Sequence, residues 1–265
     1  MSYSLTEEEQ KKLVDGVRAL STIHDLEGHN WETLLAYVKG IKGHTRSQEL
    51  FDVVDRSKGI GWSVKARMLN KIEIGSWFDV VIQRADIFKK AYELGYESLT
   101  VDTDPQILGE ALSKCWNDLK IRRDEASQGV TDSRISVLIR LKDKETFAYY
   151  EDELELINNS EIVWSWTDST KTGLQGIRRS DGIIKYKWLP SQKQFSERIQ
   201  IPEHTFIFTI PRQHIPFEDV IKILNKELDK KPNWLDRLFN FVNQVWYKNS
   251  GHGFFPDPNN GRKLS

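Results

Sequence analysis

Hydrophobic residues recur with a helical period up to about residue 40 and with a strand period after it. Thr6 and Glu9 form a capping-box pattern ahead of an apolar stripe, which predicts a helix that begins at Thr6. A second stripe begins at Asn30 and ends before Gly40, which predicts a second helix that stops at this glycine. The pattern therefore predicts a helical N-terminus.

Alternating runs rich in β-branched and aromatic residues predict strands beyond this point. The predicted strands are 50–54, 61–66, 77–82, 98–101, 135–139, 162–166, 183–188 and 205–210, with a turn over 56–59 between the first two. Helices are predicted over 86–94, over 104–119 with Asp104 as the N-cap, and over 216–228 and 232–246.

Interleaved helices and strands predict an α/β (α+β) fold in which a mixed β-sheet is flanked by helices. Residues 1–130 form a helical N-terminus and a first set of strands, and residues 131–248 form a strand-rich part with C-terminal helices. Residues 249–265 are rich in Gly, Pro and Asn and are predicted to be a mobile tail. The two larger parts are expected to build one composite domain.

The composition excludes several classes of protein. No run approaches the roughly 18 apolar residues that span a bilayer, and the acidic N-terminus is unlike a signal peptide. A cytoplasmic protein without membrane association is therefore expected. Cys115 is the only cysteine, which excludes an intramolecular disulfide and a zinc site built from cysteines.

Charge is unevenly distributed although the formal net charge is only −1. Residues 39–71 hold eight Lys and Arg against three acids, and residues 169–193 hold six against one, whereas residues 145–161 hold six acids and no Lys or Arg. These blocks are either ordinary solvated faces or surfaces for a polyanion. The glycines and aromatic residues within both basic blocks favour the polyanion surface.

The most informative segment is the predicted hairpin around residues 57 and 58. Pairing its strands about that turn places residues whose numbers sum to about 115 opposite each other, so Asp52 faces Ser63 and Lys65 lies one step along the same face. A carboxylate beside an ammonium can hold Mg²⁺ and position a phosphate oxygen or an attacking water. The alternative is an edge hairpin with ordinary surface charges.

This segment resembles the PD-(D/E)XK nuclease superfamily, which contains many type II restriction endonucleases. The resemblance rests on Asp52, ten intervening residues and then Ser63-Val64-Lys65, within an alternation of helices and strands from about residue 30 to 102. It covers about a quarter of the chain. The sequence departs from the family pattern because no proline precedes Asp52 and because Ser63 stands where an acid is usual.

The resemblance implies an acid that substitutes for the one missing at Ser63. Asp79, which follows Lys65 after thirteen intervening positions, and Glu73 are the candidates, so the metal ligands expected are Asp52, Asp79 and Glu73. Glu49, or Glu32 on the preceding helix, would complete the metal site as a helix acid does in the family. The expected catalytic residues are Asp52, Ser63, Lys65, Asp79 and Glu49.

The implied activity is Mg²⁺-dependent, site-specific hydrolysis of double-stranded DNA, of the kind used in restriction and phage defence. Lys65 would orient or activate the attacking water. A homodimer is expected because palindromic sites have twofold symmetry, and the apolar helix over 232–246 is either core or the dimer interface. The alternatives are a non-catalytic nucleic-acid-binding protein that retains a nuclease-like fold, and a small-molecule enzyme.

The basic block over 169–193 is the predicted DNA-contact segment. Lys and Arg neutralise phosphates, Arg and Gln can bind base edges through paired hydrogen bonds, and glycines let the backbone approach closely. The residues expected to contact DNA are Lys171, Gln175, Arg178, Arg179, Lys185, Lys187 and Lys193. The alternative is a glycine-containing β-turn between two strands with charged outer faces.

Overall fold

The computed structural model describes residues 3–23, 28–41 and 49–210, and these residues form an α+β fold. The helices are α1 (Glu7–Ile23), α2 (Gly28–Val38), α3 (Ile87–Glu93), α4 (Pro105–Trp116) and α5 (Arg123–Gln128). A π-helical segment, Asn117–Arg122, joins α4 to α5, and short 3-10 turns occupy Asn159–Glu161 and Pro190–Gln192.

The strands of the described residues form two five-stranded sheets. They are β1 (Val53–Asp55), β2 (Ile60–Leu69), β3 (Trp77–Arg84), β4 (Asp132–Leu141), β5 (Thr146–Glu153), β6 (Ile162–Trp166), β7 (Leu174–Arg178), β8 (Ile184–Leu189), β9 (Gln194–Gln200) and β10 (Phe206–Thr209). The predicted α+β class is confirmed.

The first sheet is mixed and has the order β1-β2-β4-β5-β10. Strands β1 and β2 form an antiparallel hairpin, whereas β2 and β4 are parallel along their whole length, from Ile60 opposite Asp132 to Leu69 opposite Leu141. Strands β5 and β10 continue antiparallel from β4. Because parallel strands need a long crossover, the segment between β2 and β4 holds a strand and three helices.

The second sheet is antiparallel and has the order β3-β9-β8-β7-β6. Four of its strands follow one another along the chain, whereas β3 comes from the crossover that precedes β4. Both sheets therefore combine strands from residues 1–130 and from residues 131–248.

The first sheet is covered on both faces. On one face, Trp62, Leu138 and Tyr149 pack with buried residues of α1 and α2, such as Leu13 and Trp31. The other face contributes Ile135, Val137 and Ile139 to a second core, which also contains buried side chains of α3, α4 and the second sheet. Lys65 and Ser63 lie on this second face, because the parallel register sets them beside Val137 and Ile135.

The predicted helix ends are confirmed by hydrogen bonds. Thr6 and Glu9 form the capping box, with the Glu9 backbone N–H 3.2 Å from Thr6 Oγ1 and the Thr6 backbone N–H 2.9 Å from Glu9 Oε2. Asp104 accepts hydrogen bonds from the first turn of α4, and Pro105 occupies its first position. Gly40 adopts a positive φ of 69° just after α2, as a glycine C-cap requires.

One predicted strand is wrong, and three strands were missed. Residues 98–101 form turns, in which the Thr100 backbone N–H donates to Thr103 Oγ1 and Ser98 has a φ of 60°. The missed strands are β5, which carries half of the acidic block, β7, which carries the glycine segment, and β9. Charged and glycine residues weakened the alternating pattern of these strands, yet each of them is paired with a neighbouring strand on both sides over at least part of its length.

No helix among residues 3–23, 28–41 and 49–210 is long and apolar enough to cross a membrane. The helices predicted over 216–228 and 232–246 and the tail over 249–265 lie outside the described residues.

Candidate functional site

The hairpin of β1 and β2 has the predicted register. Val53 pairs with Trp62 and Asp55 with Ile60, so paired residues sum to 115, as the sequence analysis expected. The Asp52 backbone N–H donates to the Trp62 carbonyl at 2.9 Å, which extends the pairing to Asp52. Asp52 Oδ2 also accepts a hydrogen bond of 2.7 Å from the backbone N–H of Val64, so the carboxylate is fixed at the level of Ser63.

Lys65, on β2, lies on the same face as this carboxylate, and its side chain is partly buried. Burial lowers the pKa of the Lys65 ammonium, and the negative charge of Asp52 opposes this effect without reversing it. Within the part of the chain that the structure describes, the ammonium makes no hydrogen bond or ion pair. A partly desolvated ammonium of this kind is costly for stability and typical of functional sites.

Three more charged groups act on Lys65, and each comes from a different element. The carboxylates of Glu32 on α2 and Glu197 on β9 raise the pKa of Lys65, and the ammonium of Lys120 on the π-helical segment lowers it. Glu32 is the helix acid that the sequence analysis considered. The charges that act on Lys65 therefore come from α2, the π-helical segment and β9 as well as from the hairpin.

Lys120 is held in place by a buried acid. Its Nζ lies 2.6 Å from Asp124 Oδ2. Asp124 is only 1% exposed, and its carboxylate also accepts a 2.6 Å hydrogen bond from the Leu50 backbone N–H. Asp124 thus ties the start of α5 to the chain just before Asp52. Lys120 lies in the π-helical segment, a rare conformation that frequently occurs at functional sites.

Ser63 is buried with 1% of its surface exposed. Its hydroxyl oxygen has no hydrogen-bond partner among the described residues. In the sheet, Ser63 pairs with Ile135 on β4, and Ile135 pairs in turn with Asp152 on β5. Ser63 is therefore enclosed beside Asp52 rather than exposed on an edge.

Asp79 lies on the second sheet, away from the hairpin. Its neighbours Phe78 and Val80 point into the shared core, so Asp79 faces outward, whereas Lys65 is on the core side of the first sheet. Asp79 Oδ2 accepts from Lys187 Nζ and Asp79 Oδ1 from Arg198 Nε, both at 2.9 Å. Burial raises its pKa, but these hydrogen bonds outweigh burial and hold the pKa below the usual value.

The other two acids proposed from sequence also have partners elsewhere. Glu73 is exposed in the loop after β2 and forms a short ion pair with Lys71. Glu49 is exposed and accepts hydrogen bonds from Ser127, at 3.3 Å, and from Gln128 at the end of α5. Neither contact connects these carboxylates to Asp52.

The residues expected to contact DNA are distributed over β7, β8 and the loops beside them, and most are paired within the protein. The ion pairs join Lys171 to Asp102, Arg178 to Asp181, Lys185 to Glu197, Lys187 to Asp79 and Lys193 to Asp86. Arg179 donates to the Ser160 carbonyl at 3.0 Å, and Gln175 donates to Ser165 Oγ at 3.3 Å. Their role in DNA contact stays a prediction.

Sequence reasoning missed Lys120 and Glu197 as members of the site. Lys120 follows the apolar stripe of α4, and its spacing of four from Asp124 is a common surface pairing. Glu197 belongs to a missed strand, and its approach to Lys65 depends on the packing of two sheets. Neither position has a local pattern that could have indicated it.

Comparison with known proteins gives no indication of the function. Comparison of the chain with protein-family models, with curated proteins and with solved structures gave no significant match. Among the described residues, no three His, Cys, Asp or Glu side chains form a group that could hold a metal ion by themselves.

Proposed function

We propose that the protein is a Mg²⁺-dependent endonuclease that hydrolyses double-stranded DNA at specific sites, of the restriction or phage-defence kind. The observation that carries this proposal is the β1–β2 hairpin, whose register sets the Asp52 carboxylate at the level of Ser63, on the face of β2 that carries the partly buried Lys65. Glu32, on the preceding helix, is one of the charges that act on Lys65 and would supply the second acid.

The topology of the first sheet supports the same proposal. The resemblance to the PD-(D/E)XK nucleases implies an Asp on one strand, the Lys on the next and a mixed sheet flanked by helices. Here the Asp52 and Lys65 segments are paired in an antiparallel hairpin, β2 runs parallel to β4, and both faces of the sheet are covered.

The donor atoms at the hairpin suit Mg²⁺. This ion prefers carboxylate oxygens and often takes only one or two of them from the protein, with water and substrate phosphate in the remaining positions. Asp52 and Glu32, whose charges act on Lys65, would hold it. When bound, Mg²⁺ would polarise the scissile phosphate and stabilise the charge that develops on it.

Lys65 would act on the attacking water. Because burial lowers its pKa, its ammonium gives up a proton more readily than an exposed lysine, which suits a group that orients water and exchanges protons with it. Asp52, whose carboxylate is fixed by the Val64 backbone N–H, would hold the metal near the Lys65 ammonium. Lys120 adds a second positive charge for a phosphate of the substrate.

The outer face of the second sheet is the proposed DNA contact. Gln175 and Lys187 are paired across β7 and β8, and Arg198 lies on the neighbouring β9, so they present an amide and two cations side by side. Asp79 neutralises part of this charge. The affinity for DNA is therefore expected to be modest and to fall steeply with salt.

Incubation of the full-length protein with a mixture of supercoiled plasmids, with Mg²⁺ or with EDTA, tests the proposal. Discrete fragments that require Mg²⁺ support a site-specific endonuclease, and their ends report the recognised sequence. Retardation of the plasmids without cleavage in Mg²⁺, Mn²⁺ or Ca²⁺ would replace it with the non-catalytic DNA-binding protein. If the protein neither cleaves nor retards the plasmids, both the nuclease and the non-catalytic DNA-binding protein are refuted.

A further inference from the structure

Strand β2 is paired on its outer side only where it begins. Strand β1 pairs with residues 60–62, and the Asp52 carboxylate then accepts a hydrogen bond of 2.7 Å from the Val64 backbone N–H. On the inner side, β4 pairs with β2 along its whole length. Among the described residues, no strand lies beside the outer side of residues 65–69. Residues 65–69 thus form an open edge of the first sheet.

Two backbone N–H groups of the open edge point away from the sheet. The Leu69 carbonyl accepts from the Lys142 backbone N–H, just after β4, at 3.1 Å, whereas the Val64 N–H points to the opposite side. Backbone groups alternate in direction along a strand, so those of Ala66 and Met68 point outward as in Val64. Both residues are exposed, Met68 by 51%. Their N–H groups have no partner in the part of the chain that the structure describes.

The open edge carries positive charge. Residues 56–72 hold five Lys and Arg and no acid. Arg67 is exposed and lies two positions beyond Lys65 on the same face of β2. The Lys71 ammonium is paired with Glu73, whereas the Arg67 guanidinium makes no ion pair or hydrogen bond within residues 3–23, 28–41 and 49–210. The Arg67 charge is therefore available to a ligand.

A row of cations and outward N–H groups suits the phosphates of a nucleic-acid strand. Lys and Arg neutralise phosphates, and backbone N–H groups donate to phosphate oxygens. Positions two apart in a β-strand are about 6.8 Å apart, which is close to the spacing of neighbouring phosphates along one nucleic-acid strand. A second β-strand fits less well, because charged side chains on a sheet edge oppose strand pairing. The charge of the edge therefore favours a polyanion.

We infer that the open edge binds the backbone of the DNA strand that is cleaved. Arg67 binds the phosphate next to the scissile one, and Ala66 and Met68 donate their N–H groups to the same backbone. This inference rests on the proposed nuclease, in which Lys65 acts at the scissile phosphate. It adds a substrate-binding surface to the outer face of the second sheet.

Filter binding of a short DNA duplex in EDTA, over a series of salt concentrations, tests this inference without cleavage. Arg67→Gln should lower the affinity by about three- to tenfold at low salt. It should also reduce the slope of log K against log salt concentration by about 0.9, because one phosphate contact is lost. Lys89→Gln removes an exposed cation from α3 and should change neither value.

Plasmid cleavage in Mg²⁺ separates a failure of this inference from a failure of the proposed function. Arg67→Gln should raise the DNA concentration for half-maximal rate and leave the maximal rate within about threefold of wild type. Wild-type affinity and salt slope in Arg67→Gln overturn the inference even if the wild-type protein cleaves DNA. Weaker binding with a smaller slope, in a protein that does not cleave, supports the open edge as a DNA contact and refutes the nuclease.

Sedimentation of wild type and Arg67→Gln identifies the competing occupant, a second copy of the chain. If Arg67→Gln forms dimers and its DNA binding is unchanged, the charge serves only to prevent strand pairing at the open edge and the inference is overturned. If wild-type protein does not bind DNA at all, both the inference and the proposed function are refuted.

Discussion

At the scale of single residues, Lys65 is the position where stability and proposed function conflict. Its ammonium is partly buried, lies beside Asp52 and has a lowered pKa because burial outweighs that attraction. A group of this kind reduces the free energy of unfolding and is expected only where its chemistry is needed.

Lys65→Met should therefore stabilise the protein near neutral pH, by roughly 1 kcal/mol or about 2–4 °C in Tm. The variant keeps the length of the side chain and removes the charge that burial disfavours. Thermal unfolding followed by circular dichroism measures the difference. A lower Tm in the variant would mean that attraction to Asp52 and Glu32 exceeds the cost of burial.

The pH dependence of this difference has a defined sign. Below the lowered native pKa of Lys65, both folded and unfolded chains carry the proton, and the full cost of the buried ammonium is present. Between the native pKa and the unfolded value of about 10.4, the folded protein releases the proton and the cost declines. The advantage of Lys65→Met should therefore shrink as pH rises into the alkaline range, and an advantage that grows there would contradict the account.

Asp79→Asn distinguishes a metal ligand from a surface ion pair. The carboxylate binds Lys187 and Arg198 on the outer face of the second sheet. The variant should therefore keep Mg²⁺-dependent cleavage and bind DNA several-fold more tightly, because two cations lose their neutralising partner. Cleavage assays and filter binding at matched salt measure both, and loss of cleavage with unchanged binding would restore Asp79 as the substitute acid.

The residue pairs of the β1–β2 hairpin could be predicted from the sequence, because they depend only on the turn at residues 57 and 58. Asp52 and Lys65 could be placed on one face because the register of a hairpin follows from the position of its turn. The choice between Asp79, Glu73, Glu49 and Glu32 could not be made, because it depends on which sheet β3 joins and on how α2 packs. Those are long-range contacts with no local pattern.

At the scale of elements, α4 packs against the hydrophobic core that both sheets share. Its buried face contributes Leu108, Leu112 and Trp116 to the core that both sheets share. Gly109 lies against Trp164 of β6 so closely that an added Cβ would be 2.0 Å from the indole Cγ. The glycine is thus required by packing, although it lowers helix propensity.

Gly109→Ala should destabilise the protein by about 1–3 kcal/mol despite the gain in helix propensity, because the indole or the helix must move. Gly28→Ala, at the first position of α2, is the matched control, since no heavy atom lies within 4 Å of its added Cβ. Urea midpoints measure both variants. Equal midpoints would show that α4 does not press on β6 at this point.

Elements with caps and apolar periodicity were predictable, whereas several strands were not. The ends of α1, α3 and α4 follow from Thr6, Asp86 and Asp104, whose side chains accept the first backbone N–H groups. Strand β5 spans Thr146–Glu153 with three acids at its end, and it is a strand because β10 pairs with its first half and β4 with nearly its whole length, including the acids. Pairing partners overrode a weak local preference.

At the scale of the whole molecule, the decisive contact is the parallel pairing of β2 with β4. It joins segments separated by more than 60 residues, and the helices and β3 between them follow from that long crossover. The interleaving of predicted helices and strands gave the α+β class, but the division of the ten described strands into two sheets could not be deduced from patterns along the chain. The crossover also carries Lys120, whose charge acts on Lys65.

In the proposed nuclease, Lys65 acts chemically on DNA held at the β1–β2 hairpin. The most direct measurement is the cleavage rate of plasmid DNA in Mg²⁺ by Lys65→Met, compared with Lys89→Met, which removes an exposed cation from α3. We predict that Lys65→Met lowers the rate by about 10²- to 10⁴-fold while DNA affinity stays within about threefold of wild type, and that Lys89→Met cleaves normally. Cleavage by Lys65→Met at the wild-type rate would contradict the assignment of the site.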